Sequence, residues 1–236
     1  IEAAVTDFGI YFSYQRHDII VTNIAFQHQV DASVRLSGTY NVEVSYCKMQ
    51  DTQRAIYSTG ATQNIHHNTI ARNYQTAVYL LDNNSTFTFN TLNDICLWPG
   101  LGENNWGYFG LRCNGSGMVV SDNRFQNIGY IGMVVEQNTL AERNVVRTPL
   151  AILNDGGGIA IDNANGMVLR RNMVLDVVGK ILNVPVAQLL GGAYRERVDC
   201  FGWTGRRTPE DAAQKAYPDI PAPWLLMADM SLDAQN

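Results

Sequence analysis

A pair of residues, one small and the next aliphatic, recurs seven times between residues 9 and 161. The aliphatic members follow one another at intervals of 24, 22, 22, 33, 22 and 26 residues. The small members are Gly9, Ser33, Ala55, Ala77, Gly110, Gly132 and Gly158. A period near 22 residues, with one insertion of about eleven residues and one of about four, accounts for all six intervals. A constant period of this length is typical of solenoids, in which stacked repeats bury a continuous core.

A second column, Asn followed two positions later by an apolar residue, keeps nearly the same spacing. Its members are Asn68, Asn90, Asn123, Asn144 and Asn172, and Cys47 takes the same place one repeat earlier. Asn side chains stacked on successive repeats would hydrogen-bond along the solenoid axis and satisfy the backbone of a turn. Of the 22 Asn residues, 20 precede residue 180, where the repeats lie. Such a ladder therefore gives a structural reason for the high asparagine content of this part of the chain.

The inward-facing residues of the repeats favour β-strands. They are mainly Ile, Val, Phe and Met, which suit strands, and they alternate with outward residues at a period of two. The repeats lack the several Leu residues at fixed offsets that a leucine-rich repeat needs. The predicted fold is therefore mainly β: a single-stranded right-handed parallel β-helix of about seven rungs over residues 1–174.

Composition excludes several classes of protein. Charged residues make up 17% of the chain and hydrophobic residues 46%, which excludes a disordered chain. The net charge of -5 and the pI near 5.3 argue against a nucleic-acid partner, which would select a basic surface. No apolar run reaches the roughly 18 residues of a membrane helix, so no membrane partner is expected. The chain is expected to be a monomer.

The four cysteines, Cys47, Cys96, Cys113 and Cys200, form no CxxC pair. A zinc site or a redox motif is therefore not expected, and no residue is predicted to be a metal ligand. Four thiols are also too few for a disulfide scaffold. We therefore predict that the cysteines are free thiols buried in the core.

The chain changes character after residue 174. Proline occurs twice before residue 180 and five times after it, and helical patterns with a Gly stop predict a short α-rich tail over residues 175–236. Its run of Gly179-Lys180, Pro185-Val186 and Gln188–Gly192 resembles the enolase superfamily, in the mandelate-racemase and sugar-acid-dehydratase branch, over about residues 175–216. The resemblance implies a truncated capping segment without that family's catalytic residues. A natural fusion and an open-reading-frame artefact are both open explanations.

The repeats themselves resemble the pectate-lyase-like right-handed β-helix superfamily over about residues 8–178. That resemblance implies a carbohydrate-active protein with a polysaccharide partner and an extracellular or periplasmic location. The resemblance does not indicate which reaction is catalysed, so a polysaccharide lyase and a glycoside hydrolase are both candidates. A non-catalytic carbohydrate-binding or adhesin-like solenoid and an inactive chimeric fragment are the alternatives.

One outward-facing column carries aromatic and cationic side chains on successive rungs. Its members are Tyr11, Arg35, Tyr57, Tyr79, Arg112, Val134 and Ala160. Aromatic faces can stack on pyranose rings, and an Arg guanidinium grips a carboxylate or sulfate through two hydrogen bonds. We therefore predict that Arg35, Tyr57 and Tyr79 bind an acidic polysaccharide. The alternative is an ordinary solvent-exposed strand face.

Two acids, Glu136 and Asp162, occupy equivalent positions on neighbouring rungs in the next outward column. They would repel one another unless a cation bridges them or one carboxyl is protonated with a raised pKa. A pair about 5 Å apart suits a retaining glycosidase, whereas a bound Ca²⁺ cofactor suits a lyase. Asp155 precedes the same strand on a Gly-rich loop. The predicted catalytic residues are Asp155, Glu136, Asp162 and Arg112; the alternative is solvated surface acids and an Asp that holds a turn.

The longest insertion, residues 94–108, carries Trp98 and Trp106 on a Gly-rich loop. Aromatic side chains are costly to leave in water, so these two either cover the core or line a sugar subsite. Because the insertion lies beside Arg112 and near Tyr79, both Trp residues are predicted to bind substrate at one wall of a groove.

Overall fold

The structure, a computed structural model, describes residues 6–175 except residues 102, 104, 105 and 164. Every regular element in this range is a β-strand, and every strand pair is parallel. The predicted fold is confirmed as a parallel β-helix of seven coils. No helix in the described range has the length and apolar character of a membrane span.

Each coil contributes three strand segments, and one long strand serves two of them in the second coil. In chain order the strands are β1 (Phe8–Ser13), β2 (His17–Thr22), β3 (Ala25–Gln27), β4 (Ala32–Ser45), β5 (Lys48–Gln50), β6 (Arg54–Ala61), β7 (Asn64–His66), β8 (Thr69–Ala71), β9 (Val78–Asn83), β10 (Thr86–Thr88), β11 (Thr91–Ile95), β12 (Leu111–Cys113), β13 (Val119–Ser121), β14 (Arg124–Ile128), β15 (Met133–Val135), β16 (Leu140–Glu142), β17 (Val145–Arg147), β18 (Ile159–Ile161), β19 (Val168–Arg170) and β20 (Met173–Leu175).

These strands form three faces. The long strand β4 joins two arms of a 13-stranded sheet: the first arm is β1, the start of β4, β6, β9, β12, β15 and β18, and the second arm is β2, the end of β4, β7, β10, β13, β16 and β19. β4 bends between the arms at Gly38, which has φ 64°, and its pairing register shifts between Ser37 and Thr39. The third face is a seven-stranded sheet of β3, β5, β8, β11, β14, β17 and β20.

Four of the seven small residues are explained by side chains that reach across the interior from the seven-stranded sheet: Gly9, Gly110, Gly132 and Gly158. A Cβ on Gly110 would lie 2.5 Å from the carbonyl oxygen of Gly132 and 2.9 Å from Cδ1 of Phe125. A Cβ on Gly132 would lie 2.5 Å from Cγ1 of Val146. Because interiors are close-packed, such overlaps cannot be absorbed without moving the coil. At its glycine positions the repeat therefore marks where the core leaves no room for a Cβ atom.

The predicted asparagine ladder is present at the corner between the second arm and the seven-stranded sheet. Each Asn side chain donates through Nδ2 to Oδ1 of the next: Asn68 to Asn90 at 3.0 Å, Asn90 to Asn123 at 3.2 Å, Asn123 to Asn144 at 2.9 Å, and Asn144 to Asn172 at 3.0 Å. Each also donates to a main-chain carbonyl of the preceding coil's strand, as Asn123 does to Phe87 at 2.8 Å. The ladder thus satisfies backbone groups that the corner would otherwise leave unpaired inside the protein.

Each coil turns this corner through a left-handed residue just before the ladder position. These residues are Asn23, Tyr46, His67, Phe89, Asp122, Arg143 and Arg171, with φ between 53° and 59°. A left-handed conformation costs a non-glycine residue about 1–2 kcal/mol, and the ladder hydrogen bonds offset that cost. The side chains of these seven residues consequently form an outward column on the corner.

One carboxyl group lies inside the coil. Asp82 on β9 is fully buried, and Ser58 donates a hydrogen bond to its Oδ1 at 3.0 Å. Its Oδ2 has no hydrogen-bond partner in the described part of the chain. Burial raises the pKa of Asp82 from 3.8 to about 7.

Three of the four cysteines, Cys47, Cys96 and Cys113, are buried and free, as predicted. Cys200 lies outside the described residues. So does the predicted α-rich tail, residues 175–236, apart from Leu175 at the end of β20. The described residues all belong to the first of two units of the chain, Ile1–Glu196. The boundary predicted after residue 174 stays a prediction.

Candidate functional site

The predicted outward column exists on the first arm, with its members paired in register from one coil to the next. Tyr57 pairs with Arg35 on one side and with Tyr79 on the other, and Tyr79 pairs with Arg112. The rings of Tyr57 and Tyr79 stack with centroids 5.4 Å apart and planes 5° apart. These four side chains form one continuous surface, which we call the arm-one column.

Neighbouring side chains already cover the ring faces of Tyr57 and Tyr79 in this column. The Arg35 guanidinium carbon lies 3.7 Å from the Tyr57 ring centroid, and that of Arg112 lies 5.4 Å from the Tyr79 centroid. Each ring therefore has a neighbour on both faces. The expectation that sugars stack on these faces needs correction, because a ligand would meet ring edges and hydroxyl groups in this arrangement.

Arg112 connects the column to the insertion and to Glu136. Its guanidinium carbon lies 5.3 Å from the Trp106 ring centroid, and its Nη2 lies 3.8 Å from Oε1 of Glu136. Arg112 Nε and Glu136 Oε1 are both buried and have no hydrogen-bond partner among the described residues. A cation and a carboxyl thus meet at the column with unused hydrogen-bonding capacity on each.

Glu136 is only 4% exposed, so the alternative of a solvated surface acid does not describe it. Burial is the main cause that raises its pKa, and the charge of Asp162 on the next coil raises it further. Arg112 and a hydrogen bond from Asn163 offset part of that rise. A glutamate in this environment keeps its proton at a pH where an exposed glutamate is ionised.

Asp155 lies apart from that pair. It lines a cavity of about 250 Å³ together with Trp106, Tyr108 and Tyr130, and none of the other three predicted catalytic residues lines it. The Tyr130 hydroxyl donates to the main-chain carbonyl of Asp155 at 3.4 Å. Arg112, Glu136 and Asp162 are therefore brought together, and Trp106 stands between them and the Asp155 cavity.

The insertion is anchored by one acid that sequence reasoning passed over. Glu103 accepts a charged hydrogen bond from Arg54 Nη2 at 2.5 Å and another from the Thr76 hydroxyl at 2.6 Å. Glu103 lies three residues before Trp106 in the sequence. Trp106 is 43% exposed, whereas Trp98 is 56% exposed and makes no ring contact in the described range. The sequence does mark this residue, since Glu103 is the one charged residue between Ile95 and Tyr108.

Replacing Glu103 with Ala should release the insertion while the coils stay folded. The variant leaves the Arg54 guanidinium without its closest partner, and a broken buried ion pair is costly. We expect chymotrypsin to cut within residues 97–108 about tenfold faster than in the parent protein, because local opening becomes easier. Glu43→Ala is the matched control, since Glu43 lies outside the insertion and is more exposed; it contacts His66 at 3.4 Å and accepts a hydrogen bond from the Ser45 hydroxyl at 2.8 Å. Equal cleavage rates in both variants would show that Glu103 anchors nothing.

The described residues contain no group of three or more His, Cys, Asp or Glu side chains placed to hold a metal ion. Glu136 and Asp162 supply two carboxyl groups, fewer than the six to eight oxygen ligands that Ca²⁺ takes. Arg112 already provides a positive charge at Glu136. A calcium ion here would need further oxygen ligands from main chain, water or substrate.

Residues 3–92 match a family model described as a right handed beta helix region. These residues include the first three coils and reach into the fourth. D-galactonate dehydratase of Verminephrobacter eiseniae (strain EF01-2) is 53% identical to this chain over 36 residues, which are 15% of this chain and 9% of that protein. No solved structure matches.

The family match and the parallel pairing of all coils support a right-handed β-helix fold. The dehydratase match agrees, over 36 residues, with the predicted resemblance to the sugar-acid-dehydratase branch. Because the chain spans only 9% of that dehydratase, nothing about its activity carries over to this chain.

Proposed function

We propose that this protein binds and cleaves an acidic polysaccharide in an extracellular or periplasmic location, as a lyase or a glycoside hydrolase. The observation that carries the proposal is the Arg112–Glu136 pair, in which two buried polar atoms have no partner in the described chain. Buried polar groups are normally hydrogen-bonded, so unpaired ones on an outward face favour a ligand that completes them. The parallel β-helix is consistent with carbohydrate-active and carbohydrate-binding proteins alike.

The chemistry assigns a role to each side chain. Arg112 and Arg35 lie three coils apart and recognise the carboxylates of two separate uronate units of one polymer, because a guanidinium binds a carboxylate through two parallel hydrogen bonds. Tyr57 and Tyr79 present their edges to the sugar between them, and Trp106 forms the wall of the groove. Glu136, whose pKa is raised by burial, is the general acid toward the glycosidic oxygen.

The two reaction types divide the remaining roles differently. In a hydrolase, Asp162 attacks the anomeric carbon as nucleophile or, as base, activates the water that does so. In a lyase, Arg112 neutralises the uronate carboxylate and Asp162 takes the proton from the neighbouring carbon. A carbon–carbon double bond forms as the glycosidic carbon–oxygen bond breaks, and the leaving oxygen takes the proton of Glu136. Ca²⁺ would assist in neutralising the carboxylate if bound. Product analysis distinguishes them: a lyase forms an unsaturated, ultraviolet-absorbing end, whereas a hydrolase forms only new reducing ends.

Glu136→Gln should lower the rate of depolymerisation by about 100-fold or more, because an amide cannot donate the proton. In the parent protein we expect the rate to fall as pH rises through the raised pKa of Glu136, since only the protonated form donates. Binding of the polysaccharide should persist in the variant. A variant that retains the parent rate and pH profile would remove Glu136 from the mechanism.

A non-catalytic carbohydrate-binding solenoid is the second candidate. The burial of Glu136 and the mutual stacking of Tyr57 and Tyr79 favour it, because both restrict access to the reacting groups. Incubation with a panel of acidic polysaccharides discriminates the two functions. Retention of the protein on the polymer without any product, with or without added Ca²⁺, supports binding alone.

A further inference from the structure

A second ring stack lies on the corner that carries the asparagine ladder. Tyr46 and His67 stack with centroids 5.0 Å apart and planes 20° apart, and His67 and Phe89 stack at 5.0 Å and 19°. Tyr46 and Phe89 are 55% and 53% exposed. This corner is separated from the arm-one column by the whole second arm.

The stack stops at Phe89. On the next coil the equivalent residue is Asp122, whose short side chain forms a two-pronged ion pair with Arg143 one coil further, at 2.8 Å for both contacts. No other ring in the described range stacks on Phe89. A cavity of about 410 Å³ lies here, and His67, Phe89, Asp122, Arg124 and Arg143 are among the residues that line it. We call it the corner slot.

The dimensions of the corner slot suit one ring. Coils stack about 4.8 Å apart, so roughly 10 Å separates the backbone of Phe89 from that of Arg143. A ring in van der Waals contact with Phe89 lies about 3.5–4 Å from that face, which is about the height of the Asp122 coil, and the Arg143 side chain that pairs with Asp122 comes from the coil above. One open aromatic face and one polar layer therefore bound the space.

The floor of the slot carries an unpaired positive charge. Arg124 is exposed and makes no ion pair within the described residues, and its register neighbours, Thr91 and Val145, are uncharged. The other cation of the slot, Arg143, is already shared between Asp122 and Glu142. The free charge of Arg124 thus favours an anionic ligand.

We propose that the corner slot binds one anionic sugar unit of an acidic polysaccharide, as a second binding site remote from the arm-one column. The apolar face of the sugar packs on Phe89, its carboxylate pairs with Arg124, and its hydroxyl groups bond to the Asp122–Arg143 pair. The slot would hold a long polymer chain on the solenoid while another segment occupies the first arm. That the ligand is a polysaccharide rests on the proposed function. That it is an anionic ring follows from the open face of Phe89 and the unpaired charge of Arg124 in the slot.

The test is calorimetric titration of the parent protein with acidic hexasaccharides of galacturonate, alginate and hyaluronan, with cellohexaose as the neutral probe. Phe89→Ala and Arg124→Gln should each weaken one class of acidic site by at least about tenfold, which corresponds to about 1.4 kcal/mol. Phe89→Trp keeps an aromatic face and should retain that site. Tyr46→Ala is the matched control, because it removes an equally exposed ring from the same stack, outside the slot.

The outcomes separate this proposal from the proposed function. Arg112→Gln should remove only the arm-one site, and Phe89→Ala only the corner site. A site that is lost in Arg112→Gln and unchanged in both Phe89→Ala and Arg124→Gln overturns the corner slot and leaves the proposed function standing. A site that is lost in Phe89→Ala and Arg124→Gln but unchanged in Arg112→Gln supports the corner slot and contradicts the proposed function. Equal effects of Phe89→Ala and Tyr46→Ala would mean that the stack only stabilises the fold, which also overturns the slot. Arg124→Gln keeps the test valid if Phe89→Ala fails to fold, because Arg124 is exposed.

Discussion

Asn123→Ala is expected to lower the free energy of unfolding by at least about 3 kcal/mol. The Asn123 side chain accepts hydrogen bonds from the main-chain N–H and the Nδ2 of Asn90, and it donates to the carbonyl of Phe87. Alanine would remove these bonds from the Asn90 main-chain N–H and the Phe87 carbonyl, and Asn90 Nδ2 would keep only its bond to the Ile65 carbonyl. Each buried group left unpaired costs about 1–3 kcal/mol, and the Asn residues above and below lose their alignment as well.

Chemical denaturation of Asn123→Ala, followed by circular dichroism, measures this loss. Asn165→Ala is the matched control, because Asn165 is exposed, lies outside the ladder and makes no side-chain hydrogen bond in the described range. The control should unfold within about 0.5 kcal/mol of the parent protein. A loss below about 1 kcal/mol in Asn123→Ala would show that the ladder is not a main source of stability.

Asp82→Asn is expected to stabilise the protein at alkaline pH by up to about 4 kcal/mol. The folded state holds the Asp82 proton up to a pH of about 7, whereas the unfolded state releases it near 3.8. Between those two values the folded state binds more protons, so the stability of the parent falls as pH rises and is level above that window. The difference in pKa sets the size of the effect, at about 1.4 kcal/mol for each unit.

Melting temperatures recorded from pH 4 to pH 9 test this expectation. The amide resembles the protonated carboxyl, so the two proteins should be nearly equal at pH 4 and should diverge as pH rises to 8. Asp7→Asn controls for the change in net charge, because Asp7 is exposed. Parallel curves for the parent protein and Asp82→Asn at every pH would contradict the buried, protonated state of Asp82.

The fold was predictable because two columns of residues recorded the same geometry. The small residues mark where side chains such as Phe125 cross the interior, and the Asn residues mark one corner. Both depend on the residue type at a fixed position, so they appear directly in the sequence. The left-handed residues of that corner left no such signal, since types as different as Tyr46, Phe89 and Arg143 adopt the same φ.

The candidate site was predictable only in part. Alternation along a strand shows which side a residue faces, and it placed Arg112 and Glu136 correctly on the outward side of the first arm. It does not show what covers that side. A second apolar cluster of Phe109, Tyr130, Ile131 and Val134 packs outside the sheet here, built by the segments between coils, so outward and solvent-exposed are different conditions at this place.

The spacing between side chains on successive coils also could not be predicted from the sequence. Tyr57 and Tyr79 sit one coil apart, and coils stack about 4.8 Å apart, which is close to the distance at which two rings pack on each other. Two aromatic residues on adjacent coils therefore cover one another's faces. Phe89 differs because its neighbour on the next coil is the short Asp122.

The central claim is that Arg112 on the first arm recognises the carboxylate of a polysaccharide that the protein cleaves. The measurement is the rate of product formation from an acidic polysaccharide and from the same polymer with its carboxyl groups methyl-esterified, for the parent protein, Arg112→Gln and Arg147→Gln. Arg147 is exposed on the seven-stranded sheet and controls for the lost charge. We predict that the parent and Arg147→Gln prefer the acidic polymer by about tenfold or more, and that Arg112→Gln loses this preference. An unchanged preference in Arg112→Gln, or no product from any acidic polymer, would contradict the claim.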